Sequence, residues 1–116
     1  MNLNISCKLQ KQLYTHNNKK YLKIMVDNIS QSNIEAIHDS RGHLLSRPNV
    51  DNPLDKNILC VKVPYRYNRI MCKTTGTRVI HELNIDDTFK ATIQYCGTWG
   101  INDYCGHAWK LIEIIT

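Results

Sequence analysis

Apolar residues in this chain recur at every second position, and that period confines it to sheet. In Tyr21–Val26, the residues Leu22, Ile24 and Val26 fall on one face. In Cys60–Tyr67, Val61, Val63, Tyr65 and Tyr67 share a face, with Lys62 and Arg66 opposite. Phe89–Tyr95 alternates without a break. A helix would need its apolar positions about 3.6 residues apart, whereas a strand half-buried in a sheet alternates in and out. The chain is predicted to be mostly β.

Turn chemistry divides the strands. Asp39-Ser40-Arg41-Gly42 lies between Ile34–His38 and His43–Ser46 as in a hairpin, and Thr75-Gly76-Thr77 separates Ile70–Lys73 from Arg78–Leu83 in the same way. Asn84–Asp87 makes a polar break before a strand that opens at Thr88. Arg47–Asp55, with two prolines and several Asn and Asp residues, reads as a surface connection. Ser30–Asn33 could cap a short helix over Ile34–Ile37, but the hairpin signal directly after Ile37 favours a strand there. Residues 1–12 read as an arm or as a first strand.

A chain of 116 residues makes one domain, residues 1–116, with one modest core. No apolar run approaches the ~18–20 residues of a membrane span, and the N-terminus has no apolar stretch of signal-peptide length. The expectation is a soluble intracellular protein, in the cytoplasm or nucleus, without a membrane partner. A small sheet must hide its edges, and closing into a barrel does so at this length. The expected fold is all-β: a small five-stranded Greek-key barrel of the oligonucleotide-binding type with few or no helices, preferred to a small β-sandwich.

Net charge is +5, and the basic residues cluster. Lys56, Lys62, Arg66, Arg69 and Lys73 occur in one stretch with no carboxylate. Near the C-terminus, Phe89–Ile115 holds two strand patterns around a loop with Gly97, Gly100 and Gly106, Trp99 and Tyr104. Binding a single-stranded nucleic acid takes cations along the phosphates and exposed rings on which bases can lie. Lys62, Arg66, Arg69 and Lys73 are the expected phosphate contacts; Tyr67, Trp99 and Tyr104 are the expected stacking rings. Lys90 and Lys110 face outward by the same alternation. Tyr65 leans to the core, Tyr67 is open to either side because Pro64 interrupts the register, and Trp109 beside Leu111 reads as core. The cations of the middle strands and the rings near the C-terminal bend are expected to share one outward groove.

Other chemistries are weaker here. Five cysteines cannot all pair, and reduced thiols are expected. Cys72, Cys96, Cys105 and His107 contain no closely spaced pair of the usual zinc kind, so neither metal nor cofactor is expected. His38 and His43 could face each other across the Asp39–Gly42 hairpin, but no phosphate loop or catalytic signature accompanies them, and no enzymatic activity is expected. The alternative function is a small β-domain that binds a protein partner, such as a host protein it inhibits, with its aromatic loop as anchor.

A resemblance adds to this reading. Val61-x-Val63-Pro64-Tyr65-x-Tyr67, then Gly76, Ile80-x-x-Leu83 and Asp87, resembles the later half of an oligonucleotide-binding fold. So do Ile93-x-Tyr95-x-Gly97-x-Trp99 and Gly106-x-Ala108-Trp109-Lys110-Leu111. Over residues 58–115 the chain is similar to the single-stranded-DNA-binding proteins of large DNA viruses and bacteriophages. The resemblance implies a role in viral or phage DNA replication or repair, with self-association or a replication protein as further partners. Such proteins often end in an acidic tail that recruits replication partners; here only Glu113 stands near Ile114-Ile115-Thr116.

Overall fold

A computed structural model describes all 116 residues. Strand β1 (Asn2–His16) turns through Asn17 and Asn18 into β2 (Lys19–Val26), and helix α1 (Asn28–Arg41) follows. A 3-10 turn (Gly42–Leu44) leads to the short strands β3 (Asn49–Asp51) and β4 (Leu54–Asp55), then to β5 (Ile58–Val63). β6 (Tyr65–Arg66) and β7 (Arg69–Ile70) form a separate hairpin. β8 (Lys73–Thr75), a second 3-10 turn (Ile80–Glu82), β9 (Thr88–Ile101) and β10 (Tyr104–Ile115) complete the chain.

Five strands close a barrel in the order β1, β2, β5, β10, β9 and back to β1. β5 and β10 run parallel, and the remaining neighbours are antiparallel. This is the all-β Greek-key barrel that the alternation predicts. The alternating residues fill it: Leu22 and Ile24 from β2, Leu59, Val61 and Val63 from β5, Ile93 from β9, and Trp109 and Leu111 from β10 are all buried. Ile80 and Leu83, around the second 3-10 turn, join the same core. Each such side chain contributes about 1.5–3 kcal/mol by leaving water.

Two strands are long enough to serve two neighbours because they bend. β1 pairs with β9 over Asn2–Lys8 and with β2 over Cys7–His16, with register shifts on both sides of Lys11. β9 pairs with β10 in register at Tyr95↔Trp109 and again at Gly97↔Ala108, so Cys96 bulges out and Gly97 takes φ +99. An extra residue of this kind re-aims the strand beyond it. Beyond these shifts the outer part of β1 pairs only with β2, which stays paired to β5 as far as Lys20, and the outer part of β10 is edged by β3 along Tyr104–Gly106.

Several expectations are corrected. Of the two readings of residues 1–12 the structure has the first strand, with Ile5, Cys7 and Leu9 in the core. Ile34–His38 is helix, not strand, and Asp39–Gly42 is the end of α1, not a hairpin. The Asp27 carboxylate accepts from Ser30 N at 2.7 Å and starts the helix, while Ser30, Ile34, Ile37 and His38 make its buried face. The Asp, Ser and Gly residues read as a hairpin turn instead end the helix, with Gly42 as its C-cap. Thr75–Thr77 does not join two strands either: β8 pairs parallel with the end of β10, and Arg78–Leu83 contains no strand. Tyr65 and Tyr67 are both exposed, because the barrel register of β5 stops before Pro64 and the chain leaves as the β6–β7 hairpin.

Candidate nucleic-acid interface

Between the outer ends of the two long hairpins lies a groove of about 1130 Å³. Alternation along β1 and β2 sends every second side chain into the barrel and leaves the others to line one wall. Lys11, Tyr14 and His16 come from β1, and Lys19, Tyr21 and Lys23 from β2. Tyr14 and Tyr21 are directly opposite across the ladder, with ring centroids 5.8 Å apart and planes tilted by 31°. Lys11 Nζ sits 4.1 Å over the Tyr14 ring. The Tyr14 hydroxyl lies 3.2 Å from Cys60 Sγ. Desolvation first, and the nearby Cys60 second, push the Tyr14 phenol above its ordinary range, and burial does the same for Tyr21. Both rings stay neutral hydrogen-bonding groups at pH 7.

Trp99 forms the facing wall. It stands opposite Gly106 across the β9–β10 ladder. A Cβ on Gly106 would lie 3.0 Å from Trp99 Cζ2 and would collide with the carbonyl oxygen of Asp51. The absence of a side chain there lets the indole rest on bare backbone, with the other side of the ring towards the groove at 37% exposure. Ile101 and Tyr104 continue this wall to the hairpin tip. Asp51, Asn52 and Asp55 also line the groove, and the Asp51 carboxylate acts on Tyr21. Gln10 Oε1, also at the groove, is buried without a hydrogen-bond partner.

His107, Ala108 and Trp109 form the floor, where α1 meets the barrel. The His38 ring of α1 stacks on His107 at 4.0 Å with planes 4° apart. The indole N–H of Trp109 donates to His38 Nε2 at 2.9 Å, and the Tyr95 hydroxyl is 2.7 Å from His107 Nδ1. Burial, then the neighbouring His107, bring His38 down to about 4, and burial lowers His107 as well. The pair is largely uncharged at pH 7. His43 is exposed in the 3-10 turn and does not face His38 across a hairpin.

The structure separates the seven residues expected to share a groove. Trp99 and Tyr104 line it. Arg66, Tyr67 and Arg69 form the β6–β7 hairpin outside it. Lys62 lies on the outer face of β5, level with Tyr21 and Lys110. Lys73 is on β8 with Nζ 3.6 Å from the Glu113 carboxylate. The single-groove expectation is therefore corrected: β5 leaves the barrel at Pro64 and carries the cations after it elsewhere. The groove draws its cations from Lys11, Lys19 and Lys23, which the sequence reading passed over. Their signal was present: residues 1–26 hold five lysines and no carboxylate, with Tyr14 and Tyr21 interleaved.

No three or more His, Cys, Asp or Glu side chains are grouped as a metal would require, and Cys96 is exposed while Cys105 is buried. No helix is long and apolar enough to cross a membrane. No protein-family model matches the chain, and comparison with curated proteins and with solved structures finds no match.

Proposed function

We propose that this domain binds single-stranded nucleic acid, DNA foremost, in the groove between its two long hairpins, with little sequence preference and without catalysis. The observation that carries this reading is Trp99 lying on Gly106 with one side of its ring open to a groove whose opposite wall is Lys11, Tyr14, Lys19, Tyr21 and Lys23. Rings on both walls accept bases of any kind, and each stack is worth about 1–3 kcal/mol. The lysines line the β1–β2 wall, and the carboxylates of Asp51 and Asp55 repel phosphate from where they line the groove. The phosphodiester then follows β1–β2, and the bases turn towards Trp99 and Tyr104. Barrels of this topology use the same face and the same hairpin ends for oligonucleotides and oligosaccharides. DNA replication or repair of the viral or phage kind is the setting that the sequence resemblance supports.

Tryptophan fluorescence during titration with oligo-dT tests the reading, because Trp109 is only 2% exposed and a bound base reaches Trp99 alone. Quenching is expected at low salt, and raising the salt reverses it. Trp99→Ala should weaken binding about 5- to 150-fold, the equivalent of one stack. Equal affinity of this variant and the wild type would remove the groove from the proposal. Binding to a protein but not to oligonucleotides would favour the partner-binding alternative, for which the exposed Val50, Ile101 and Tyr104 offer an apolar contact.

A further inference from the structure

The β6–β7 hairpin is built against its own stability. Its turn residues Tyr67 and Asn68 both have positive φ, 54° and 60°. Asn adopts that conformation readily, but a bulky ring at such a position is an outlier. Tyr67 gains no contact in exchange, since it is 87% exposed. Directly below the turn, Arg66 and Arg69 are cross-strand partners. Like charges in that position repel each other. Neither guanidinium has a carboxylate partner: the two ion pairs of the chain are Lys73–Glu113 and Arg78–Asp87. Backbone strain and unpaired like charges at one exposed spot are what a ligand site tolerates and a purely structural turn does not.

The hairpin starts beside the groove. Lys62, three residues before Tyr65, pairs with the groove residue Tyr21, and Lys20 Nζ lies 5.1 Å from the centroid of the Tyr65 ring at the base of the hairpin. The hairpin does not pack on the barrel as a strand; β6 and β7 pair only with each other.

We propose that this hairpin is a second contact for the same single strand: Arg66 and Arg69 grip one phosphate between them, and Tyr67 stacks on the adjacent base. An anion between the two guanidinium groups removes their repulsion and accepts their parallel N–H donors, a geometry that arginine fits better than lysine. The inference rests on the groove reading for the identity of the ligand, while its geometry is independent of it. A strand long enough to leave the groove past the β1–β2 turn meets the hairpin next.

The test compares oligo-dT of about 5 and about 16 nucleotides, the span of site sizes for such barrels, on wild type, Arg66→Ala/Arg69→Ala, Tyr67→Ala and Trp99→Ala. The double arginine variant is expected to bind the long oligonucleotide about tenfold more weakly with a salt slope reduced by about 0.7, the value for one phosphate. Its affinity for the short oligonucleotide and its melting temperature should not fall. Tyr67→Ala should lose affinity for the long oligonucleotide only. Wild-type affinity of the double variant for both lengths would overturn the hairpin contact and leave the groove reading standing if Trp99→Ala is impaired. Loss of the long-strand gain in the double variant, with Trp99→Ala unchanged, would keep the hairpin and remove the groove. A lower melting temperature in the double variant would make the arginines structural and overturn the assignment, as would failure of the wild type to bind either length.

Discussion

The imidazoles of His38 and His107 lie parallel, 4.0 Å apart, and join helix α1 to the floor of the groove. Indole N–H can only donate, so the bond from Trp109 requires His38 Nε2 to be bare and places the proton of the neutral ring on Nδ1. A proton on Nε2 would break that bond and add charge beside a second imidazole. The other groups around the pair are the Tyr95 hydroxyl on His107 and the carboxylate of Asp39, which favours the charged form of His38 weakly.

Acid should therefore loosen this joint. His38 has a folded pKa of about 4 against 6.5 ordinarily, so the unfolded chain takes up the proton first. The stability contributed by the neutral ring is whole above about pH 6.5 and is lost as pH falls towards about 4. The expected loss is about 1–2 kcal/mol over that window, less than the full linkage value because solvent reaches part of the cluster. Melting temperatures from pH 7 to pH 4 measure it. His38→Gln, which keeps an acceptor for Trp109, should flatten the slope; an unaltered slope would place the pH dependence elsewhere.

Gly106→Ala should damage both fold and groove. Its methyl meets the Asp51 carbonyl and the Trp99 ring, so β3 must shift away from β10 and the indole must tilt. Overpacking of this kind costs about 1–3 kcal/mol. Urea unfolding should show that loss, and Trp99 fluorescence should shift even without ligand. A variant as stable as the wild type with an unchanged spectrum would mean that the indole does not depend on the bare backbone.

Tyr67→Asn should stabilise the protein while weakening its grip on long oligonucleotides. Left-handed backbone costs a residue other than Gly, Asn or Asp about 1–2 kcal/mol, and the exposed ring loses no contacts when it is removed. A gain of about 1 kcal/mol in urea unfolding is expected. Lower stability would show that the ring contributes to the fold.

Alkylation should distinguish the thiols. Cys96 projects from the bulge in β9 and is the one exposed cysteine. Burial pushes the Cys7 thiol up to about 12 and the Cys72 thiol up to about 11, leaving almost no thiolate at neutral pH. Mass spectrometry after brief treatment with iodoacetamide should show a single adduct, on Cys96. Early modification of Cys7 would indicate that β1 opens from the barrel.

The barrel was legible in the chain because strand burial is a local property. Leu22, Ile24, Val61, Val63 and Ile93 alternate with polar neighbours, and any sheet that buries one of them buries the others. Trp99 and Tyr104 were legible as an open aromatic pair because glycines and a turn surround them. Helix α1 is not legible from Ile34–Ile37 because the polar Asp39–Gly42 stretch marks a helix end as readily as a hairpin, and the cap lies upstream at Asp27. What only the tertiary structure decided is which charges meet which rings. The run from Lys56 to Lys73 is continuous in sequence, yet Pro64 ends the barrel register and sends Arg66, Tyr67 and Arg69 to a separate hairpin. Lys11 and Lys23 reach the groove of Trp99, about 80 residues away in the chain, because bends in β1 and β9 bring two hairpin ends together. Alternation states which side of a strand a residue occupies, but not which strand will face it across a closed sheet.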